Sequence, residues 1–234
     1  MAADAGFRDC RKGSVPLLLR PPGEFPVYLF DLDGTLLDSA ADICGAIQQT
    51  LSGHVSEPLP FEYLKSFIGY HLNDCFTEVL PHYSAEQLAE LVQSYRTIYP
   101  ARGHTATRVY PGAVEALRDL GGLKSTATTK GTQATRAILD QFALLPYFDH
   151  VQGTDAFPCK PAPDVLLRAL EAFDARAGDC LFIGDSAADM EAGRRAGVKI
   201  CAVRYGYGRT ENLAEWSPDY WISDLRELLP ERRG

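Results

Sequence analysis

The chain has 234 residues, 46% of them apolar, and its 23 Lys and Arg against 31 Asp and Glu leave a net charge of −8. That length suits one large domain or a core with a smaller companion, and it needs neither disulfide nor metal to fold. The composition excludes a disordered chain, no apolar run reaches the roughly 18 residues of a membrane span, and the acidic balance argues against nucleic acid or an anionic membrane surface as partner.

Residues 1–26 read as an irregular N-terminal extension in which Arg8, Arg11, Lys12 and Arg20 mix with Asp4, Asp9 and Glu24. Leu17, Leu18 and Leu19 are too few for the apolar core of a signal peptide, so a cytoplasmic location is expected. Val27-Tyr28-Leu29-Phe30 then forms a fully apolar run, the pattern of a strand buried on both faces, and it ends abruptly in Asp31-Leu32-Asp33-Gly34-Thr35. Residues 39–42 resemble a capping box ahead of Ile43, Ile47 and Leu51 at helical spacing. Leu88, Leu91, Val92, Tyr95 and Ile98 form another helical stripe behind Ser84, a suitable N-cap. No strand pattern occurs between Asp38 and His104, which predicts an all-helical insert.

From Tyr110 the texture changes. Pro111 opens a helix carrying Val114, Leu117 and Leu120, and Gly121-Gly122 closes it. Strands are predicted over 123–129, 150–152, 181–183 and 200–203, and helices over 132–142, around Val165 to Leu170, and over 188–196. This alternation is that of βαβ units, hence an α/β fold with a parallel sheet. Cys10, Cys44, Cys75, Cys159, Cys180 and Cys201 show no Cys-x-x-Cys spacing and no accompanying His pair, so they read as buried or free thiols.

In open α/β sheets ligands bind outside the carboxyl ends of the strands. Asp31, Asp33, Thr128, Lys160, Asp185 and Asp189 all stand at or beyond the carboxyl ends of predicted strands, so they can meet there. Each alone has a plain structural role open to it: an Asp pair can cap a turn, a Thr can pack, a loop Lys can be solvated. Together they suit a hard divalent cation and a phosphate. Mg²⁺ would take the Asp31 and Asp185 carboxylates with the Asp33 main-chain carbonyl. Asp31 could attack phosphorus and form an aspartyl-phosphate, with Asp33 as general acid and then base. Thr128 would hydrogen-bond a phosphate oxygen, Lys160 would neutralise the equatorial oxygens, and Gly34 would let backbone N–H groups approach.

Asp31-Leu-Asp-Gly-Thr-Leu-Leu-Asp38, Thr128, Lys160-Pro-Ala-Pro-Asp164 and Gly184-Asp-Ser-Ala-Ala-Asp189 resemble the four motifs of the haloacid dehalogenase superfamily. Tyr110-Pro-Gly-Ala-Val-Glu-Ala-Leu117 and Tyr205-Gly-Tyr-Gly208 resemble segments of its phosphoglycolate phosphatase branch. The resemblance implies a Rossmann-like parallel-sheet core over 27–37 and 105–234, with an inserted all-helical cap over 38–104. It implies Mg²⁺-dependent hydrolysis of a small phosphomonoester, with Asp31 as nucleophile and Asp33 as acid–base. Thr128 and Lys160 would bind phosphate, and Asp31, Asp33, Asp185 and Asp189 would form the metal site, Asp189 acting through water or as support.

Thr129 stands where relatives commonly carry Asn, which alters a secondary phosphate contact, and Lys124-Ser-Thr126 is more polar than their strand. Asp33 argues against dehalogenation, which needs no leaving-group proton. Substrate recognition is expected from the cap: Lys65, Tyr70, His71 and Asn73 around the Phe67-Ile-Gly69 turn. A phosphomutase of the β-phosphoglucomutase type would use the same core residues. A receiver-type phospho-acceptor fits poorly, since its acceptor lies in mid-chain. A catalytically silent binding protein would not need every charged motif residue.

Overall fold

The computed structural model describes residues 22–230. Val27–Phe30 (β1) is buried at every position because it pairs in parallel on both edges, with Leu123–Thr126 (β4) and Cys180–Gly184 (β5). Lys199–Val203 (β6) and Tyr220–Ile222 (β7) complete a five-stranded parallel sheet in the order β4-β1-β5-β6-β7. Alternate residues of β1 face opposite layers. Tyr28 and Phe30 pack on one side with Leu117, Ile138 and Leu139, and Val27 and Leu29 on the other with Val165, Leu166 and Met190. The helices Ala113–Asp119 (α5), Thr132–Gln141 (α6), Asp164–Ala172 (α7) and Ala187–Ala196 (α8) supply those layers.

Between β1 and β4 the chain leaves the sheet through Leu37–Asp38 (β2), which pairs antiparallel with Arg108–Val109 (β3). Everything regular between those two short strands is helical: Ala40–Thr50 (α1), Phe61–Lys65 (α2), Leu72–Val79 (α3) and Ala85–Ala101 (α4). Ser84 and Gln87 form the capping box at the start of α4. The apolar faces of these helices, through Ile43, Leu64, Phe76, Leu88 and Leu91, continue the layer that carries Phe30. A last short helix, Thr210–Ala214 (α9), precedes β7. Among the described residues no helix is long and apolar enough to cross a membrane, and Cys44, Cys75, Cys159, Cys180 and Cys201 are free thiols. Cys10 and residues 1–21 of the N-terminal extension lie outside the described residues.

Three local expectations are corrected. The strand predicted over 150–152 is reduced to a single bridge between His150 and Ser125. The Thr126 hydroxyl takes over the backbone pairing, accepting from Gln152 N–H and donating to Gln152 O, each at 2.9 Å. The capping box over 39–42 is not formed: Ser39 is the N-cap of α1 but makes no side-chain cap bond. Asp42 is fully buried and instead accepts from Ala106 N–H (3.0 Å) and the Thr107 hydroxyl (2.8 Å), tying α1 to the returning chain. No strand is predicted after 200–203, yet Tyr220–Ile222 adds β7 at the edge of the sheet.

Candidate active site

The parallel ladder runs one residue past β1 and past β4. Asp31 N–H donates to Ile183 O at 2.9 Å and Ala127 N–H to Phe30 O at 2.8 Å, so the chain is still fixed where Asp31 and Thr128 project from the sheet. Gly34 follows with φ +88°, and a Cβ there would stand 2.2 Å from Asp185 Oδ2, so both backbone conformation and space require glycine. β5 ends at Gly184 and the chain turns through Asp185 and Ser186 into α8, on whose first turn Asp189 lies.

These turns bring Asp31, Asp185 and Asp189 together, each buried, with one carboxylate oxygen from each within 4.8 Å of the others. Lys160 reaches the cluster from its loop with a fully buried side chain. Its Nζ lies 2.8 Å from Asp31 Oδ1 and 2.5 Å from Asp189 Oδ1, and donates to Ala127 O at 3.0 Å. Burial opposes the lysine's charge, but Asp189 and Asp31 outweigh it and its pKa ends raised. Asp31 is pushed up to about 6, first by burial, with Lys160 pulling it back and Asp189 and Asp33 adding to the rise. Burial, then Asp189 and Asp31, hold Asp185 well above the ordinary carboxylate range.

The three acids are not equivalent. Asp189 Oδ2 accepts from the N–H of Asp185 (3.2 Å), the N–H of Ser186 (2.9 Å) and the Ser186 hydroxyl (2.7 Å), while Oδ1 is on Lys160. Its acceptor capacity is thus spent on organising the loop. Asp185 accepts one bond on each oxygen, from the Thr35 hydroxyl (3.2 Å) and from Tyr207 N–H (2.8 Å), which leaves lone pairs free. Hard oxygen donors on two incompletely satisfied carboxylates, held close against their own repulsion, fit a divalent cation such as Mg²⁺.

The Asp33 carboxylate stands apart from this cluster. Its Oδ2 lies 2.5 Å from Lys130 Nζ, and its Oδ1 accepts from the Ser39 hydroxyl at 2.5 Å. Lys130 in turn sits 4.8 Å over the ring of Tyr99 from α4. Burial works against the Lys130 charge, yet Asp33 and Tyr95 outweigh it and raise the pKa. Lys130 and Tyr207 are not assigned to the site by the sequence reading, and Ser39 enters it only as the start of a capping box. Lys130 closes the Thr126-Ala-Thr-Thr-Lys130 segment, and Tyr207 lies in Tyr205-Gly-Tyr-Gly208, so both stood in motifs whose other residues drew notice.

Thr128 is buried, and its hydroxyl lies 3.4 Å from Lys130 N. Thr129 beside it is half-buried. Of the insert residues, Lys65 places its ammonium 5.4 Å over the Tyr207 ring, touching the core from α2. Tyr70 is exposed overall, yet burial of its phenol, with Asp189 and Glu191 adding to it, raises its pKa. His71 is the N-cap of α3, its Nδ1 accepting from Asn73 N–H at 3.2 Å. The turn at Gly69 comes so close to the acidic loop that a Cβ there would be 3.2 Å from the Ser186 side chain.

Comparison with known proteins follows the same lines. Residues 28–203 match the model of the haloacid dehalogenase-like hydrolase family. The chain is 34% identical over 222 residues to the phosphoglycolate phosphatase of Pseudomonas fluorescens, covering 89% of this chain and 80% of that one. It is 34% identical over 207 residues to the phosphoglycolate phosphatase of Aquifex aeolicus, covering 87% and 94%. Among solved structures, a haloacid dehalogenase-like family hydrolase of Streptococcus pneumoniae superposes with a TM-score of 0.79 at 27% identity, over 87% of this chain and 96% of the other.

Proposed function

The chain belongs to the haloacid dehalogenase-like hydrolase family, and on that footing we propose that it is a Mg²⁺-dependent phosphoric monoester hydrolase. Its substrate class is a small phosphomonoester of the phosphoglycolate type, as the names of its relatives suggest. The observation that carries this reading is Lys160: a fully buried ammonium between Asp31 and Asp189, at the carboxyl ends of β1 and β5, beside two carboxylates with lone pairs to spare. In this reading 38–104 is the cap and 27–37 with 105–234 the catalytic core.

Asp31 attacks phosphorus, the ester P–O bond breaks, and Asp33 delivers a proton to the departing oxygen, which leaves as an alcohol. Water then loses a proton to Asp33 and attacks the aspartyl-phosphate. The P–Oδ bond breaks, inorganic phosphate leaves and Asp31 is restored. Lys160 and Thr128 hold the phosphoryl oxygens as charge shifts across them. The metal would rest on the Asp31 and Asp185 carboxylates and the Asp33 carbonyl, with Asp189 orienting Lys160 and the loop. When bound, Mg²⁺ screens the repulsion between carboxylate and phosphate dianion and aligns the phosphoryl group. Lys65, Tyr70 and His71 face the choice of leaving group, and Thr129 flanks the phosphate.

The test is phosphate release from a panel of small phosphomonoesters that includes 2-phosphoglycolate, with no bisphosphate activator present. One of them should turn over with kcat/KM on the order of 10⁴ M⁻¹s⁻¹ or more, and Asp31→Asn should abolish that turnover. Release from none of them, or an active Asp31→Asn, overturns the reading.

A further inference from the structure

Ser39 is the first residue of the helical insert to touch the site, and it occupies an unusual position. As N-cap of α1 it would ordinarily turn its hydroxyl back on the helix, where a side-chain cap stabilises by about 1 kcal/mol. Here it makes no such bond, and its Oγ donates to Asp33 Oδ1 at 2.5 Å instead. Part of the capping is done from elsewhere. The Tyr207 hydroxyl oxygen accepts from Ser39 N–H at 2.6 Å and Ala40 N–H at 3.0 Å, and lies 3.0 Å from Asp38 Oδ1, to which it can donate. A phenol has one proton and two lone pairs, so this hydroxyl is fully used in fixing the Asp38 carboxylate and the backbone N–H groups of Ser39 and Ala40.

Tyr207 is itself anchored to the acidic cluster, because its N–H donates to Asp185 Oδ2 at 2.8 Å. Such proximity depends on the glycines beside it. A Cβ on Gly206 would stand 2.2 Å from Asp185 Cβ, and one on Gly208 would stand 2.0 Å from Asp185 O. One residue thus holds the metal-site acid with its main chain and the N-terminus of α1 with its side chain.

We propose that Tyr207 is a positioning residue for leaving-group protonation: by pinning residues 38–40 it directs the Ser39 hydroxyl onto Asp33 and fixes the carboxylate that serves as general acid. This rests on the assignment of Asp33 in the proposed function. Neither Tyr207 nor Ser39 meets the reacting atoms; both act through Asp33.

The consequence is selective. A substrate whose leaving group departs as a stable anion, p-nitrophenyl phosphate, needs little protonation, whereas an alkyl phosphate such as 2-phosphoglycolate needs it fully. General acid–base groups contribute about 10²–10⁴-fold, and misplacing one forfeits part of that. Tyr207→Phe and Ser39→Ala should each lower kcat on 2-phosphoglycolate by about tenfold or more. On p-nitrophenyl phosphate both should stay within about threefold of the parent, with KM little changed for either substrate. Ser39→Thr, which keeps the hydroxyl, should restore the alkyl phosphate rate.

Asp33→Asn is measured alongside. If it shows the selective loss and a folded Tyr207→Phe does not, whether because neither substrate is affected or because both fall together, the positioning role is refuted while the role of Asp33 stands. If Asp33→Asn itself loses both substrates equally, the acid assignment fails and this proposal with it. Should Tyr207→Phe not fold, the Ser39→Ala and Ser39→Thr pair decides.

Discussion

Replacing Lys160 by methionine removes the cation on which the acidic cluster rests. The side chains of Lys160 and Asp189 are fully buried and that of Asp31 is 3% exposed, so water cannot take the lysine's place. Lys160→Met leaves Asp31, Asp185 and Asp189 facing one another within 4.8 Å, with the bonds at 2.8, 2.5 and 3.0 Å gone. Breaking a buried ion pair by deleting one partner costs about 3–5 kcal/mol. For a chain of this size that corresponds to a fall in Tm of roughly 6–20 °C.

The loss depends on pH with a definite sign. Asp31 is raised to about 6 even with Lys160 beside it, and removing the lysine lets it rise further. A carboxyl group whose folded pKa lies above its unfolded value binds more protons in the native state across that interval, so stability falls as pH rises through it. The deficit of Lys160→Met is therefore greatest near pH 8 and shrinks toward pH 5, where Asp31 takes up a proton. Urea unfolding of both proteins in EDTA at the two pH values, followed by far-ultraviolet circular dichroism, measures it. A deficit below about 1 kcal/mol, or one larger at pH 5 than at pH 8, would refute the reasoning.

Two further perturbations probe neighbouring contacts. Lys130→Met should cost less than Lys160→Met, on the order of 1–3 kcal/mol by the same unfolding assay, because Asp33 keeps its bond from Ser39 and retains some exposure. Gly206→Ala places a Cβ 2.2 Å from that of Asp185 and 2.6 Å from its Oδ2. Asp185 must move, so the rise in Tm expected of the parent on adding Mg²⁺ should be lost in the variant, and an undiminished rise would exclude Asp185 from the metal site.

Much of this arrangement was legible in the amino-acid order. β1 and β5 are buried at every position and carry no charged side chain along their length, so an acid standing immediately after such a run is conspicuous, as Asp31 and Asp185 are. The insert was legible because the stripe behind Ser84 has helical period and nothing near it has a strand's. Two-residue strands such as β2 and β3 have no period to read, and β7 is a short edge whose first two residues are only half-buried. The missing strand over 150–152 turned on a single hydroxyl, Thr126, doing the work of a ladder. Within the site, partner choice was hidden by distance along the chain. Lys130 finds Asp33 from 97 positions away and Tyr207 finds Ser39 from 168, while Ser39, with every local feature of a helix cap, is diverted to a carboxylate.

The paired crossing at β2 and β3 has a bearing on how such a chain can be remodelled. Leu37 lies opposite Val109 and Asp38 opposite Arg108, so the exit and the return of the insert are hydrogen-bonded neighbours. Each ladder of the parallel sheet joins strands outside residues 39–107. Antiparallel strands at this spacing can be joined by a turn of about two residues. The sheet's pairing scheme is accordingly indifferent to the length and architecture of what is spliced at that joint. Helices there can be lengthened, exchanged or replaced by another module without re-registering a strand, so the insert can vary while the strand ends that carry Asp31 and Asp185 stay put.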